Sequence, residues 1–174
     1  MSFKIQQRSK LEWTRIRDPS IQPEHRESIE KRLDQVLESW RNTSWQAGQQ
    51  SKGQGADCIR FGTGVADEMY GYKRIETPRL PQDMMMHSRH ESMKAMRFIR
   101  RLYMPNIIVT DGTIEPGDMV IISWDGPGHL MIGGAKPNTL WHAMKPRITQ
   151  TGMSFLGDVL RIYRFTDKIK WLRQ

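Results

Sequence analysis

The chain has 174 residues, 37% of them hydrophobic and 26% charged, which suits one soluble globular domain with enough chain to bury a core. A net charge of +8 and a pI near 9.9 suit an anionic partner, whether nucleic acid, an anionic polymer or a membrane surface. The one cysteine, Cys58, excludes an intrachain disulfide framework and any cysteine-rich zinc site, and no apolar run approaches the ~20 residues that span a bilayer. The opening residues Met1 to Arg8 carry no apolar core, so synthesis in the cytoplasm without a secretory signal is expected.

Residues 1–22 read as a polar, basic N-terminal extension, and residues 23–174 as a single domain. Residues 23–41 form a helix pattern: Pro23 suits the first helical position, and Ile29, Leu33, Val36, Leu37 and Trp40 share one face. Asn42 to Gly55 is a loop rich in glycine, serine and glutamine. It runs into a second helix from Cys58 to about Tyr70, where Phe61, Val65 and Met69 recur at helical spacing before a stop at Gly71. Residues 72–87 are irregular and carry prolines. Ser88-Arg89-His90-Glu91 is a capping box opening a basic helix to about Tyr103, with Met93, Met96, Ile99, Leu102 and Tyr103 as its apolar face. The Met84-Met85-Met86 run suits gap-filling core.

Beyond Pro105 the pattern changes to strands. Glu115-Pro116-Gly117-Asp118 is a turn, Met119–Trp124 a strand, Asp125-Gly126 a hairpin-like turn and His129–Gly133 the return strand. Thr139–Met144 and Val159–Phe165 complete the series. Helices first and an antiparallel sheet afterwards is an α+β layout, with the helices packed on the sheet.

Cys58 falls in the first turn of its helix, where unpaired N–H groups favour negative charge and a thiol ionises more readily. A cysteine nucleophile also needs a base, usually histidine, and a third group to fix the imidazole. His25 lies on the polar side of the first helix. His87 and His90 form an H-x-x-H with no further ligands in view, so neither a metal nor a cofactor is expected. His129 and His142 differ, because each falls on a strand and they lie thirteen residues apart across the Gly133–Asn138 turn. Neighbouring antiparallel strands lie about 5 Å apart, so the two rings can meet. His129 would then serve as the base and His142 would bond its other nitrogen; two sheet histidines with ordinary hydrogen bonds are the alternative. Asp57 suits a helix cap. Its carboxylate raises the neighbouring thiol pKa, so it is not the activating group.

Asp57-Cys58, Pro116-Gly117-Asp118, Gly128-His129-Leu130-Met131-Ile132-Gly133 and Leu140-Trp141-His142-Ala143 follow the order found in NlpC-type papain-like cysteine peptidases. The chain resembles that family over roughly residues 25–165. Thr43-Ser44-Trp45 and the run from Lys52 to Cys58 resemble the approach to the nucleophile in bacteriophage tail-associated members. The resemblance implies a papain-like fold, with Cys58 as nucleophile, His129 as general base and His142 as the group orienting it. It also implies hydrolysis of peptide bonds in peptidoglycan stem peptides through an acyl-enzyme, with no cofactor, in a phage tail acting at the cell wall. The Cys58 backbone N–H would be one oxyanion donor. Many relatives carry a tyrosine upstream of the cysteine. Trp45 stands there in this chain, with one N–H donor and no acidic hydroxyl; Gln46 is a second candidate donor. Ile59-Arg60 replaces a familiar Ser-Gly, and Arg60 is expected to line the cleft or face solvent. Set against the minimal catalytic domain of that family, the segment 72–105 is long enough to be an insertion that covers a cleft or docks another protein.

Two other functions fit the same residues. One is a non-catalytic tail assembly module, binding tail proteins through the basic helix. The other is a Cys–His acyltransferase or amidase acting on a different substrate. No nucleic-acid-binding motif accompanies the positive charge, so no specific nucleic acid partner is expected. The oligomeric state is left open.

Overall fold

Apolar spacing and capping set the three α-helices among the described residues. The computed structural model describes residues 23–70, 86–104, 106–110, 113–123 and 126–166. Helix α1 (Pro23–Trp40) buries Leu33, Val36, Leu37 and Trp40 on one face. A small antiparallel pair, β1 (Gln50–Ser51) and β2 (Gly55–Ala56), follows within the segment expected to be loop. Helix α2 (Cys58–Tyr70) keeps the expected bounds, but it is not one-sided: every residue from Ile59 to Ala66 is buried. It is the central helix, with α1 against one side and the sheet against another.

Two glycines permit that depth. A methyl at Gly62 would collide with the Leu130 side chain, and one at Gly64 would meet the Trp40 ring. Trp40 in turn packs edge-on against Phe61, with ring centroids 5.8 Å apart. Helix α3 (Arg89–Tyr103) starts with the complete capping box: Glu91 N donates to Ser88 Oγ, and the Glu91 carboxylate accepts from Ser88 N. Its buried face consists of Ser92, Ala95, Ile99 and Tyr103. Met93, expected on that face, is 42% exposed. The small side chains of Ser92 and Ala95 take the contact because the helix closes tightly on the sheet at Gly128, where even a methyl would clash with Ser92.

Among the described residues six strands form one antiparallel sheet in the order β3-β8-β4-β5-β6-β7. They are β3 (Ile107–Thr110), β4 (Met119–Ser123), β5 (Gly128–Gly133), β6 (Thr139–Met144), β7 (Arg147–Gly152) and β8 (Asp158–Phe165). Strands β3 and β7, both at edges, go beyond the strands expected from sequence. Helices layered on an antiparallel sheet make this an α+β fold, as expected. Gly71, residues 72–85, Trp124 and Asp125 lie outside the described residues, and with them the first part of the segment read as an insertion; Met86 is in the core.

The sheet is covered on both faces, so β4 and β5 are nearly continuous buried runs rather than alternating ones. Met119, Ile121, Leu130, Ile132, Trp141 and Ala143 pack under the helices. Ile114, Val120, Ile122, Met131, Leu140 and Ile162 form a second cluster on the far face, with Met153 and Leu156 against it. The Pro116-Gly117-Asp118 turn is tied to the sheet. The guanidinium of Arg164 donates to both Asp118 carboxylate oxygens at 3.1 and 2.8 Å, and Glu115 N donates to Asp118 Oδ2 at 2.7 Å. That motif is a structural anchor for the start of β4.

Candidate active site

Cys58 is the first residue of α2, and Asp57 before it is the expected cap. Asp57 Oδ1 accepts from Arg60 N at 2.9 Å, and Oδ2 accepts from Gly48 N at 2.8 Å. Oδ2 also receives the Arg60 guanidinium, and both side chains are buried. Arg60 therefore neither lines a cleft nor faces solvent. It neutralises the carboxylate next to the thiol, because a buried Asp57 needs a counter-charge more than the surface needs another cation.

The ladder between β5 and β6 begins only at Met131↔His142 and continues through Ile132↔Trp141 to Gly133↔Leu140. Gly128, His129 and Leu130 are hydrogen-bonded into β4, while Ala143 and Met144 pair instead with β7. The two strands thus splay at His129. The N-terminus of α2 reaches this gap, and the Cys58 sulfur lies against the backbone N–H of Leu130, the residue after His129. Strand alternation puts Leu130 on the helix face and His129, with Met131, on the far face.

His129 and His142 meet as their spacing suggests. His129 Nε2 and His142 Nδ1 are 3.0 Å apart, and the rings are nearly perpendicular. Burial lowers the His129 pKa to about 3, with His142 adding to the shift, and burial takes His142 to about 4. Both rings are therefore neutral near pH 7. A neutral pair shares one proton across the 3.0 Å bond. If Nε2 of His129 donates it, Nδ1 of His129 is the basic nitrogen.

The thiol departs from expectation. Burial pushes it up to about 12, the Leu130 N–H opposes this, and Asp57 adds to the rise; the Ile59 and Cys58 amides pull the other way. The helix terminus does supply donors, but desolvation outweighs them. Near neutral pH the thiol and both imidazoles are therefore uncharged, and a free thiolate is disfavoured.

Trp45 is half-buried against the helix-side core and bridges Ala56, two residues before Cys58. The Lys145 ammonium sits 5.0 Å from its ring centroid, and Trp45 N donates to Pro146 O at 2.9 Å. The Gln46 side chain is exposed and folded over Gly55. His87 and His90 are exposed; the side chain of His25 lies outside the described residues. Two participants escape sequence reading: the Leu130 amide, which no side chain announces, and Arg60 as partner of Asp57, for which an i,i+3 acid–base spacing was the available signal.

No family profile and no curated protein sequence matches this chain. Among solved structures it is similar to the crystal structure of the NlpC/p60 domain of peptidoglycan hydrolase SagA, with a TM-score of 0.50 and 14% identity over 78% of this chain and 98% of that one. The chain thus has the α+β, papain-like fold of an NlpC/p60 domain.

Proposed function

We propose that this chain is a cysteine peptidase that hydrolyses peptide bonds in the stem peptides of bacterial peptidoglycan. The observation that carries the reading is the joined His129–His142 pair beside the strand residue whose amide meets the Cys58 sulfur. The fold shared with a peptidoglycan hydrolase domain supports the substrate class. The four ordered motifs from Asp57-Cys58 to Leu140–Ala143 support the same assignment. We further infer a phage-type tail setting from the likeness of Thr43-Ser44-Trp45 and the Gly53–Cys58 approach to tail-associated members.

In this mechanism the Cys58 S–H proton passes to His129 Nδ1 as sulfur attacks the scissile carbonyl carbon. His142 holds the ring by accepting from Nε2 and stabilises the imidazolium that forms. The carbonyl oxygen becomes an oxyanion facing the Cys58 amide. The C–N bond then breaks, His129 returns the proton to the leaving amine, and a thioester remains. Water gives a proton to His129, attacks the thioester and releases the acid, and the sulfur recovers its proton.

The test is digestion of purified walls by the wild type and by Cys58→Ala, with soluble products analysed by mass spectrometry. Stem-peptide fragments should appear with the wild type and not with the variant. Folded wild-type protein that releases nothing from walls of several chemotypes would sink the proposal.

A further inference from the structure

The outward side of α3 is a second feature of this molecule. Seven of its residues and its C-cap are solvent-facing: Arg89, His90, Met93, Lys94, Arg97, Arg100 and Arg101, then Met104. At 100° per residue all of them fall within an arc of about 140°. Five are permanent cations and none is acidic. Glu91, the acid of this helix, is half-buried and spends its carboxylate on the His87 and Ser88 amides. The cationic field continues onto the sheet, where Tyr163 feels both Arg100 and the exposed Arg161 of β8. Lys94, Arg97 and Arg101 form one row with steps of about 4.5–6 Å along the axis.

We propose that this face binds a linear phosphodiester polymer of the bacterial wall, so that α3 anchors the domain to the anionic component of its substrate matrix. The proposal rests on the peptidoglycan reading for its setting. Charge complementarity selects the ligand: a row of guanidinium forks and an ammonium pairs with successive phosphates without reading any base. The arc has no Phe, Tyr or Trp to stack a base and no Asn or Gln to read a base edge, which argues against a nucleic acid. Two methionines are too little apolar surface to seat a helix in a bilayer interface, where Trp, Phe and Leu would be expected. The N-terminal end of α3 closes on Gly128, next to His129, so an anchored polymer runs close to the chemistry.

The probe is poly(glycerol phosphate), titrated calorimetrically against the full chain over a series of salt concentrations. The wild type should bind, and affinity should fall steeply with salt. Lys94→Glu/Arg97→Glu/Arg101→Glu should bind about 100-fold or more weakly, with the log–log salt slope reduced by about 2. Arg97→Lys/Arg101→Lys should retain binding, which separates charge from folding. Equal binding by the triple variant would overturn the proposal, as would tighter wild-type binding to duplex DNA of matched phosphate content. Cleavage of a soluble stem peptide, run in parallel, separates the two readings. Polymer binding without cleavage supports this surface and sinks the peptidase; cleavage without polymer binding does the reverse.

Discussion

Replacing Arg60 by Met tests whether the Cys58 helix depends on a buried counter-charge. Arg60 and Asp57 are 3% and 2% exposed. Methionine fills much of the same space and keeps the Arg60 amide that Asp57 also uses, so the guanidinium is the principal loss. The Asp57 carboxylate would be left buried with the Arg60 and Gly48 amides. Breaking a buried pair by removing one partner costs about 3–5 kcal/mol, a large part of the 5–15 kcal/mol typical of a domain. Urea unfolding should register that loss. Asp57→Asn/Arg60→Met should recover at least about 2 kcal/mol of it, because the stranded charge is gone. The sulfur supplies an independent readout. Asp57 already raises the Cys58 pKa, and without Arg60 its field on the thiol is uncompensated; each further unit cuts the thiolate fraction about tenfold. Iodoacetamide should therefore alkylate Arg60→Met more slowly than wild type at pH 8. A variant within about 1 kcal/mol of wild type, alkylated at the same rate, would refute the reasoning.

Two further outcomes follow from the same packing. His129 and His142 are held below their ordinary value of 6.5, at about 3 and about 4, so the unfolded chain takes up protons before the folded one. Their contribution is full above pH 6.5 and is lost as pH falls, by up to about 1.4 kcal/mol per unit for each ring until pH 4. Urea midpoints at pH 7.5, 6.0 and 5.0 read this before most carboxylates protonate, and a flat profile would contradict it. Gly62→Ala should destabilise by about 1–3 kcal/mol despite alanine's higher helix propensity, because the methyl meets Leu130. It should also alter Cys58 alkylation, since Leu130 carries the amide at the sulfur; a stabilised variant with unchanged alkylation would show that α2 and β5 have slack.

The histidine pair was legible because both residues sit in strongly patterned strands, and β6 runs over Thr139–Met144 as expected. The Cys58 helix was legible from Phe61, Val65 and Met69, and the Ser88 capping box marked α3 to the residue. Other features were hidden for identifiable reasons. Strand β7, Arg-Ile-Thr-Gln-Thr-Gly, is a polar edge whose pairing comes from β6 rather than from burial. Strand β3 is apolar but leaves Ile108 and Val109 exposed, so its burial gives no clean alternation. Met93 has the apolar character of a core residue but not the small size that contact at Gly128 requires, which selects Ser92 instead. The height of the Cys58 pKa was illegible because desolvation depends on what closes around the sulfur.

The splay between β5 and β6 makes reactivity a gauge of tertiary order. Cys58 packs with the helix-side core, and its sulfur meets the Leu130 amide just where the β5–β6 ladder stops. A state that kept its helices and strands but loosened the layers would retain its far-ultraviolet signature while the sulfur drifted out of register. The reactivity of Cys58 would change at the first slackening between layers, well before the secondary structure reported any damage.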